Sequence, residues 1–246
     1  MREEGLIELY AKELRLPTFQ NYAEVVRLAK EQGLDYGGFL LELLTRELTN
    51  RRHNQLQRRI KQARFPLIKS LDTFCFEHLP HLSEALVWEL ATCDFIAKKE
   101  NIIMVGPPGT GKTHLALSFG YRAVEQGYSV RFFTASGLTN QLVEIQEQKA
   151  LTKLEGKLAK CHLLILDELS YLTFSRYQTE LLFQVLSERT ERTSTIITTN
   201  LDFSRWGEIF ADGMMAAALV DRLTYRSHIL NMNAESYRFR HSKKML

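Results

Sequence analysis

Cysteine pairs, long apolar runs and a large excess of either charge are all missing from this 246-residue chain, and each absence removes a class of protein. Its three cysteines, Cys75, Cys93 and Cys161, stand far apart with no C-x-x-C pair. That spacing argues against a zinc site and a disulfide framework, and it suits a reducing cytoplasm. No apolar stretch approaches the ~18 residues of a membrane span. The opening Met1-Arg2-Glu3-Glu4 is charged, with no apolar segment behind it to serve as an export signal. A cytoplasmic protein with no membrane partner is expected. Internal repeats and low-complexity tracts are absent too. The formal net charge is only +3, so a preference for an acidic partner must rest on local clusters. At 45% hydrophobic residues the chain can bury a sizeable core, as one large domain or two small ones.

What is present converges on one stretch. The apolar run Ile102, Ile103, Met104 and Val105 feeds into Gly106-Pro107-Pro108-Gly109-Thr110-Gly111-Lys112-Thr113, and an amphipathic helix follows from His114. This fits the phosphate-binding pattern G-x-x-x-x-G-K-[ST] in its required context of buried strand, loop and helix. The glycines let successive backbone N–H groups and the helix N-terminus form an anion cradle. Lys112 is expected at the β- and γ-phosphates of ATP, and Thr113 at magnesium. His114, opening the helix, is a further candidate nucleotide contact. The alternative, a glycine-rich turn that merely joins strand to helix, leaves the four fixed positions unexplained.

A second chemical feature follows about fifty residues later. Leu163-Leu164-Ile165-Leu166-Asp167-Glu168 reads as an apolar strand ending in two acids. Asp167 is suited to holding a magnesium ion and its waters, and Glu168 to polarising an attacking water. Thr198-Thr199-Asn200 closes the next strand with an amide able to contact the γ-phosphate or orient that water. An Asn after a strand is otherwise a common turn residue. Arg222, in Asp221-Arg222-Leu223, can act as an arginine finger toward a neighbouring subunit's nucleotide or form a plain surface pair with its acidic neighbour.

Around these motifs the chain divides by composition. Apolar residues recur at helical spacing up to about Leu48, and Pro17, Gly33, Gly37 and Gly38 are read as breaks between short helices. Between residues 46 and 69 lie Arg46, Arg51, Arg52, Arg58, Arg59, Lys61, Arg64 and Lys69, with Glu47 as the single acid. A continuous helix there presents Arg51, Arg52, Arg58 and Arg59 to duplex DNA phosphates, with Lys61 and Arg64 beyond. A solvated connector helix is the alternative. We set the boundary near Ser70: residues 1–69 as a helical DNA-binding or assembly domain, 70–246 as an ATPase domain. Strands are expected over 101–105, 129–134, 162–166, 195–199 and 227–232, alternating with helices. That pattern means an α/β fold with a parallel sheet covered on both faces. Lys149, Lys153, Lys157 and Lys160 recur on a helical stretch before the acidic strand and form a second candidate DNA stripe, a solvated face being the default.

In order, GPPGTGKT, LLILDE, TTN and DRL resemble the AAA+ ATPases, and within them the branch holding the DnaC helicase loaders and the IstB helper ATPases of insertion sequences. Glu13-Leu14-Arg15-Leu16-Pro17, Gly111-Lys112-Thr113-His114-Leu115-Ala116 and Glu235-Ser236-Tyr237-Arg238 are similar to the IstB pattern, so the resemblance spans nearly the whole chain. It implies a sheet of order 5-1-4-3-2, Walker B roles for Asp167 and Glu168, a sensor role for Asn200, and a trans-acting role for Arg222. Arg238 is implied as a second nucleotide sensor. Only six residues follow Arg240, so a C-terminal helical lid is expected to be missing.

The resemblance further implies ATP and Mg2+ as cofactors, and double-stranded DNA and a cognate transposase as partners. Self-association into a ring or helical oligomer follows from the same likeness. Target-DNA binding in insertion-sequence transposition is the leading reading, and loading of a replicative helicase its close rival. A small-molecule kinase would close an arginine lid over a second substrate, which this chain does not offer. A nucleotide-gated module without hydrolysis would have no use for Glu168.

Overall fold

The computed structural model describes residues 3–148, 151–171, 173–237 and 239. Their contacts divide the chain into two units, Met1–Arg58 and Arg59–Leu246. The first unit is helical: α1 (Glu3–Glu13), α2 (Pro17–Gln20), α3 (Tyr22–Gln32) and the start of α4 (Tyr36–Ala63). Pro17 opens α2, where its missing N–H costs nothing, and Gly33 ends α3 in a left-handed cap.

Gly37 and Gly38 do not break the chain as expected from their type. They sit in the first turn of α4, because the Asp35 carboxylate accepts a hydrogen bond from the Gly38 N–H at 2.7 Å and so caps the helix ahead of them. Deeper in this unit Glu47 is 3% exposed and accepts from the Arg51 guanidinium at 2.6 Å and the Thr18 N–H at 3.1 Å. Burial works to raise its pKa, but the bonds from Arg51 and Thr18 outweigh burial and hold it below the usual carboxylate value.

In the second unit a 3-10 turn at Leu71–Thr73, α5 (Glu84–Leu90) and α6 (Asp94–Ala97) lead into alternating strands and helices. These are β1 (Asn101–Val105), α7 (Lys112–Glu125), β2 (Val130–Thr134), α8 (Ala135–Glu147), α9 (Leu151–Ala159), β3 (Leu163–Asp167), α10 (Arg176–Arg189), β4 (Ser194–Thr199), α11 (Gly213–Thr224) and β5 (Ser227–Asn231). The five strands form one parallel sheet in the order β2-β3-β4-β1-β5, the expected 5-1-4-3-2 read from its other edge. Every residue of β1, β3 and β4 is buried. In β1 and β3 that explains the apolar runs Ile102–Val105 and Leu163–Leu166, since a strand covered on both faces has no polar side to alternate with, whereas β4 sets Ile196 and Ile197 between buried serine and threonines. Ile103, Val105, Leu164, Leu166 and Ile197 pack into a cluster with Leu138, Leu182, Leu186 and Trp206.

The α9–β3 junction depends on a buried cation. Arg189, 2% exposed, donates to the carbonyls of Leu158 (2.5 Å), Cys161 (3.2 Å) and Ser194 (2.7 Å) and to the Thr195 hydroxyl (3.3 Å). Burial lowers its pKa to about 10, so it stays charged at neutral pH. Replacing Arg189 with Met removes its four bonds at this buried junction, although the Leu158 carbonyl keeps the Cys161 N–H at 3.1 Å. A loss of about 3 kcal/mol is expected, less than the sum of four separate bonds because the junction can relax. A urea midpoint that does not fall, at constant slope, overturns this.

Candidate functional site

The phosphate loop sits where β1 ends, with β4 on one side and β5 on the other. Two of its glycines are required by close approach. A Cβ on Gly106 would collide with the Met232 backbone carbonyl, and one on Gly111, at φ +96°, would lie 2.7 Å from Phe74 Cε2. Lys112, 7% exposed, lies inside the loop with its Nζ donating to the carbonyls of Gly106 (2.6 Å) and Pro107 (2.7 Å). The Thr110 hydroxyl donates to the Pro107 carbonyl at 3.0 Å and closes the turn.

Because β4 lies between β1 and β3, the ends of all three strands meet. Thr113 Oγ1 donates to both carboxylate oxygens of Asp167 at 3.0 Å, and Thr198 Oγ1 donates to Asp167 Oδ1 at 2.5 Å. A hydroxyl beside a carboxylate is a hard oxygen set suited to magnesium. Thr198 Oγ1 also accepts from the Glu168 N–H (2.9 Å), and the Leu169 N–H returns to the Thr198 carbonyl (3.0 Å). Those bonds hold Glu168 at φ +60°, a left-handed conformation costing ~1–2 kcal/mol in a non-glycine residue. The turn lets Glu168 line a cavity of about 520 Å³ together with Asn200, Lys112 and Thr113. Asn200 is fixed through its backbone, its N–H donating to Ser170 Oγ at 2.8 Å.

Thr198 is a site residue that the motif reading passed over in favour of Asn200. Its sequence signal was a threonine directly after the apolar pair Ile196-Ile197 near the end of a strand, and in the fold it is buried. Most of the far wall of the cavity was also missed: Thr73, Phe74, Cys75 and His78 from the segment before α5 and Tyr171 after β3, completed by Glu235 and Tyr237 from the stretch that resembles the IstB pattern. The missed part carries no nucleotide motif, so only the folded chain reveals it. His114 ties this wall to α7, its Nε2 lying 2.9 Å from the Ser70 carbonyl and its ring edge-on to Phe74 at 5.3 Å. Tyr237 donates its N–H to the Gly109 carbonyl at 3.0 Å. Cys75, Glu77 and His78 bring ligand atoms within 4.8 Å of one another, one short of a closed tetrahedral zinc set.

Arg222 does not line this cavity. It is exposed on α11, its guanidinium 4.7 Å from the centre of the Phe183 ring and donating to Ser187 Oγ at 3.2 Å. Arg238 and Lys149 lie outside the described residues, as does the side chain of Lys153.

Of the lysine stripe, Lys157 is exposed on α9, whereas Lys160 lies in the turn beyond, because the helix ends at Ala159, beside the Leu158 carbonyl that Arg189 takes. On α4, Arg52, Arg58 and Lys61 are exposed and Arg59 half-buried, with Arg64 exposed just past the helix end, whereas Arg51 is committed to Glu47 and to the Arg15 carbonyl at 2.6 Å. No helix among the described residues is long and apolar enough to cross a membrane.

Over residues 9–245 the chain matches the family described as IstB-like ATP binding protein. It is 38% identical over 238 residues to the insertion sequence IS5376 ATP-binding protein of Geobacillus stearothermophilus, covering 96% of this chain and 95% of that one. To the insertion sequence IS21 ATP-binding protein of Pseudomonas aeruginosa it is 36% identical over 239 residues, 97% and 90% of the two chains. Among solved structures, the DnaC helicase loader aligns at 25% identity and a TM-score of 0.50 over 66% of this chain and 95% of that one. AMPPCP-bound DnaA from Aquifex aeolicus shares the fold at 19% identity and a TM-score of 0.56, over 72% and 54%. With a phosphate loop at the end of an inner strand of its parallel sheet and a family match spanning nearly its full length, this protein belongs to the IstB-like ATP-binding family, in the DnaC/IstB branch of the AAA+ P-loop fold.

Proposed function

We propose that this chain is an ATP-hydrolysing, DNA-binding protein that self-assembles and assists the transposase of an insertion sequence. The observation that carries the reading is the meeting of Thr113, Asp167, Thr198 and Glu168 beside the phosphate loop, in a chain whose relatives are insertion-sequence ATP-binding proteins. In this reading the loop amides from Gly109 to Thr113 and the Lys112 ammonium bind the ATP phosphates, with Gly106, Pro107 and Pro108 shaping the loop, while Thr113 and Asp167 hold magnesium. Magnesium neutralises phosphate charge when bound. Thr198 positions both acids. Glu168 takes the proton of the attacking water, Asn200 orients that water, and Arg222 serves the neighbouring subunit's nucleotide. The helical residues 1–69 bind duplex DNA or support assembly, with residues 70–246 as the ATPase.

Sizing the protein by light scattering, with and without ATP and duplex DNA, tests the reading. Mass is expected to rise several-fold with both ligands. Lys112→Ala is expected to weaken ATP binding at least tenfold, since a charge-assisted phosphate contact is worth ~1.5–3 kcal/mol, and to lose the ATP-dependent growth. A mass indifferent to both ligands overturns it. Loading of a replicative helicase shares the same ATPase core, but the DnaC likeness covers only 66% of the chain whereas that to the IS5376 relative covers 96%.

A further inference from the structure

Two basic features that lie a hundred residues apart in sequence meet in the second unit. The loop Gly127–Ser129, ahead of β2, and the turn Lys160–His162, ahead of β3, are joined by Ser129. Its hydroxyl lies 2.7 Å from His162 Nδ1, accepts the His162 N–H at 3.1 Å, and donates to the Lys160 carbonyl at 3.4 Å. Tyr128 stands edge-on to His162, ring centres 5.6 Å apart. The last turns of α4 reach the same corner. Arg131 donates to the Gln62 carbonyl at 2.5 Å, and the Arg59 guanidinium comes within 3.5 Å of where a Cβ on Gly127 would stand.

Arg59, Arg131 and Lys160 thus converge on a loop of three residues, about 7 Å long, with Lys61 exposed on the last turn of α4 and Arg64 exposed just past its end. Among the described residues none of these five forms an ion pair, and the nearest acid along the chain, Glu125, is paired with Arg122 at 3.7 Å. Three guanidinium groups and two ammonium groups with no acid to neutralise them, beside an exposed imidazole and a tyrosine, fit a polyanion. A duplex offers one phosphate charge per ~1.7 Å of axis, so a cluster of this size meets several phosphates together. All five strands run the same way, so a corner at the starts of β2 and β3 lies at the opposite end of the sheet from the phosphate loop. DNA held there leaves the nucleotide cavity open.

We propose that this corner, built from Arg59, Lys61, Arg64, Arg131 and Lys160, binds the phosphate backbone of double-stranded DNA. The proposal rests on the DNA-binding reading above and assigns it a surface. It adds Arg131, and it replaces the idea of a lysine stripe on one helix with a junction of α4 and the turn before β3.

The test uses the full chain and a fluorescent duplex of arbitrary sequence, with affinity measured by anisotropy across a salt series. The variant changes Arg59, Lys61, Arg64 and Lys160 to Gln and keeps Arg131, whose bond to Gln62 supports the fold. If most of the four meet phosphates, the salt slope falls by about 3 and affinity drops by a similar factor on unrelated sequences. Binding of a fluorescent ATP analogue, at the other end of the sheet, should match the parent and so reports intact folding. A second variant, Arg52→Gln with Arg58→Gln, separates two failures. If the parent binds DNA, the four-site variant keeps the parent's slope and only the second variant loses it, the corner is wrong while the DNA-binding reading stands. A parent that does not bind duplex DNA removes both. Tighter binding to duplex RNA than to DNA overturns the partner named here.

Discussion

Glu168→Gln is expected to reduce ATP turnover about a thousandfold while leaving nucleotide affinity unchanged. Gln keeps the length of the side chain and can adopt the same backbone, so the bonds from residues 168 and 169 to Thr198 persist. What it lacks is a basic oxygen to take a proton from water, and a general base of this kind contributes ~10²–10⁴ in rate. Phosphate release under saturating ATP, alongside a fluorescent-nucleotide titration, makes the comparison. Hydrolysis at the parent's rate would remove Glu168 from the chemistry.

A comparable loss, on the order of 10³ or more, is expected for Arg222→Ala. The reason is geometric: Arg222 sits exposed on α11 over Phe183, outside the cavity of its own chain. Its local contacts are a ring face and one serine hydroxyl, worth ~1–2 kcal/mol together, so folding should survive the change. Activity per subunit should then climb with protein concentration in the parent. Mixing Arg222→Ala with Glu168→Gln gives some interfaces an intact acid from one chain and an intact arginine from the next. Partial recovery of ATPase activity supports a shared site, and its absence in demonstrably mixed oligomers rejects one.

The strands were legible to within a residue or so at each end: β1 and β3, buried on both faces, are written as apolar runs of four, and the others stand out as short stretches with aliphatic or aromatic residues between helical patterns. β3 extends one residue further than expected, to Asp167, since its carboxylate is held from two neighbouring elements. The phosphate loop was legible because its backbone must pass where no Cβ fits, as at Gly106 and Gly111. A local cap was also passed over: Gly37 and Gly38 look like a break until the bond from the Gly38 N–H to Asp35, three residues earlier, is known. Less could be read where long-range contacts decide. Phe74 carries no motif and Tyr237 only the family likeness of its stretch, and both join the cavity because the chain on either side of the ATPase motifs folds back over the loop. Lys160 left its stripe because a buried arginine thirty residues away ends the helix before it.

The sheet order also sets a timetable for the newly made chain. β1 carries the phosphate loop, yet its two neighbours come much later: Asn101 accepts a bond from Thr195, 94 residues on, and Glu100 meets His228, 128 residues on. Until β4 and β5 emerge from the ribosome, β1 has no strand on either side and the loop has no frame, while β2 and β3 can already pair with each other. ATP therefore cannot assist the early steps of folding. Its binding energy becomes available only once nearly the whole chain has been synthesised, and a chain truncated before β5 should be a poor ligand for ATP however complete its phosphate-loop motif.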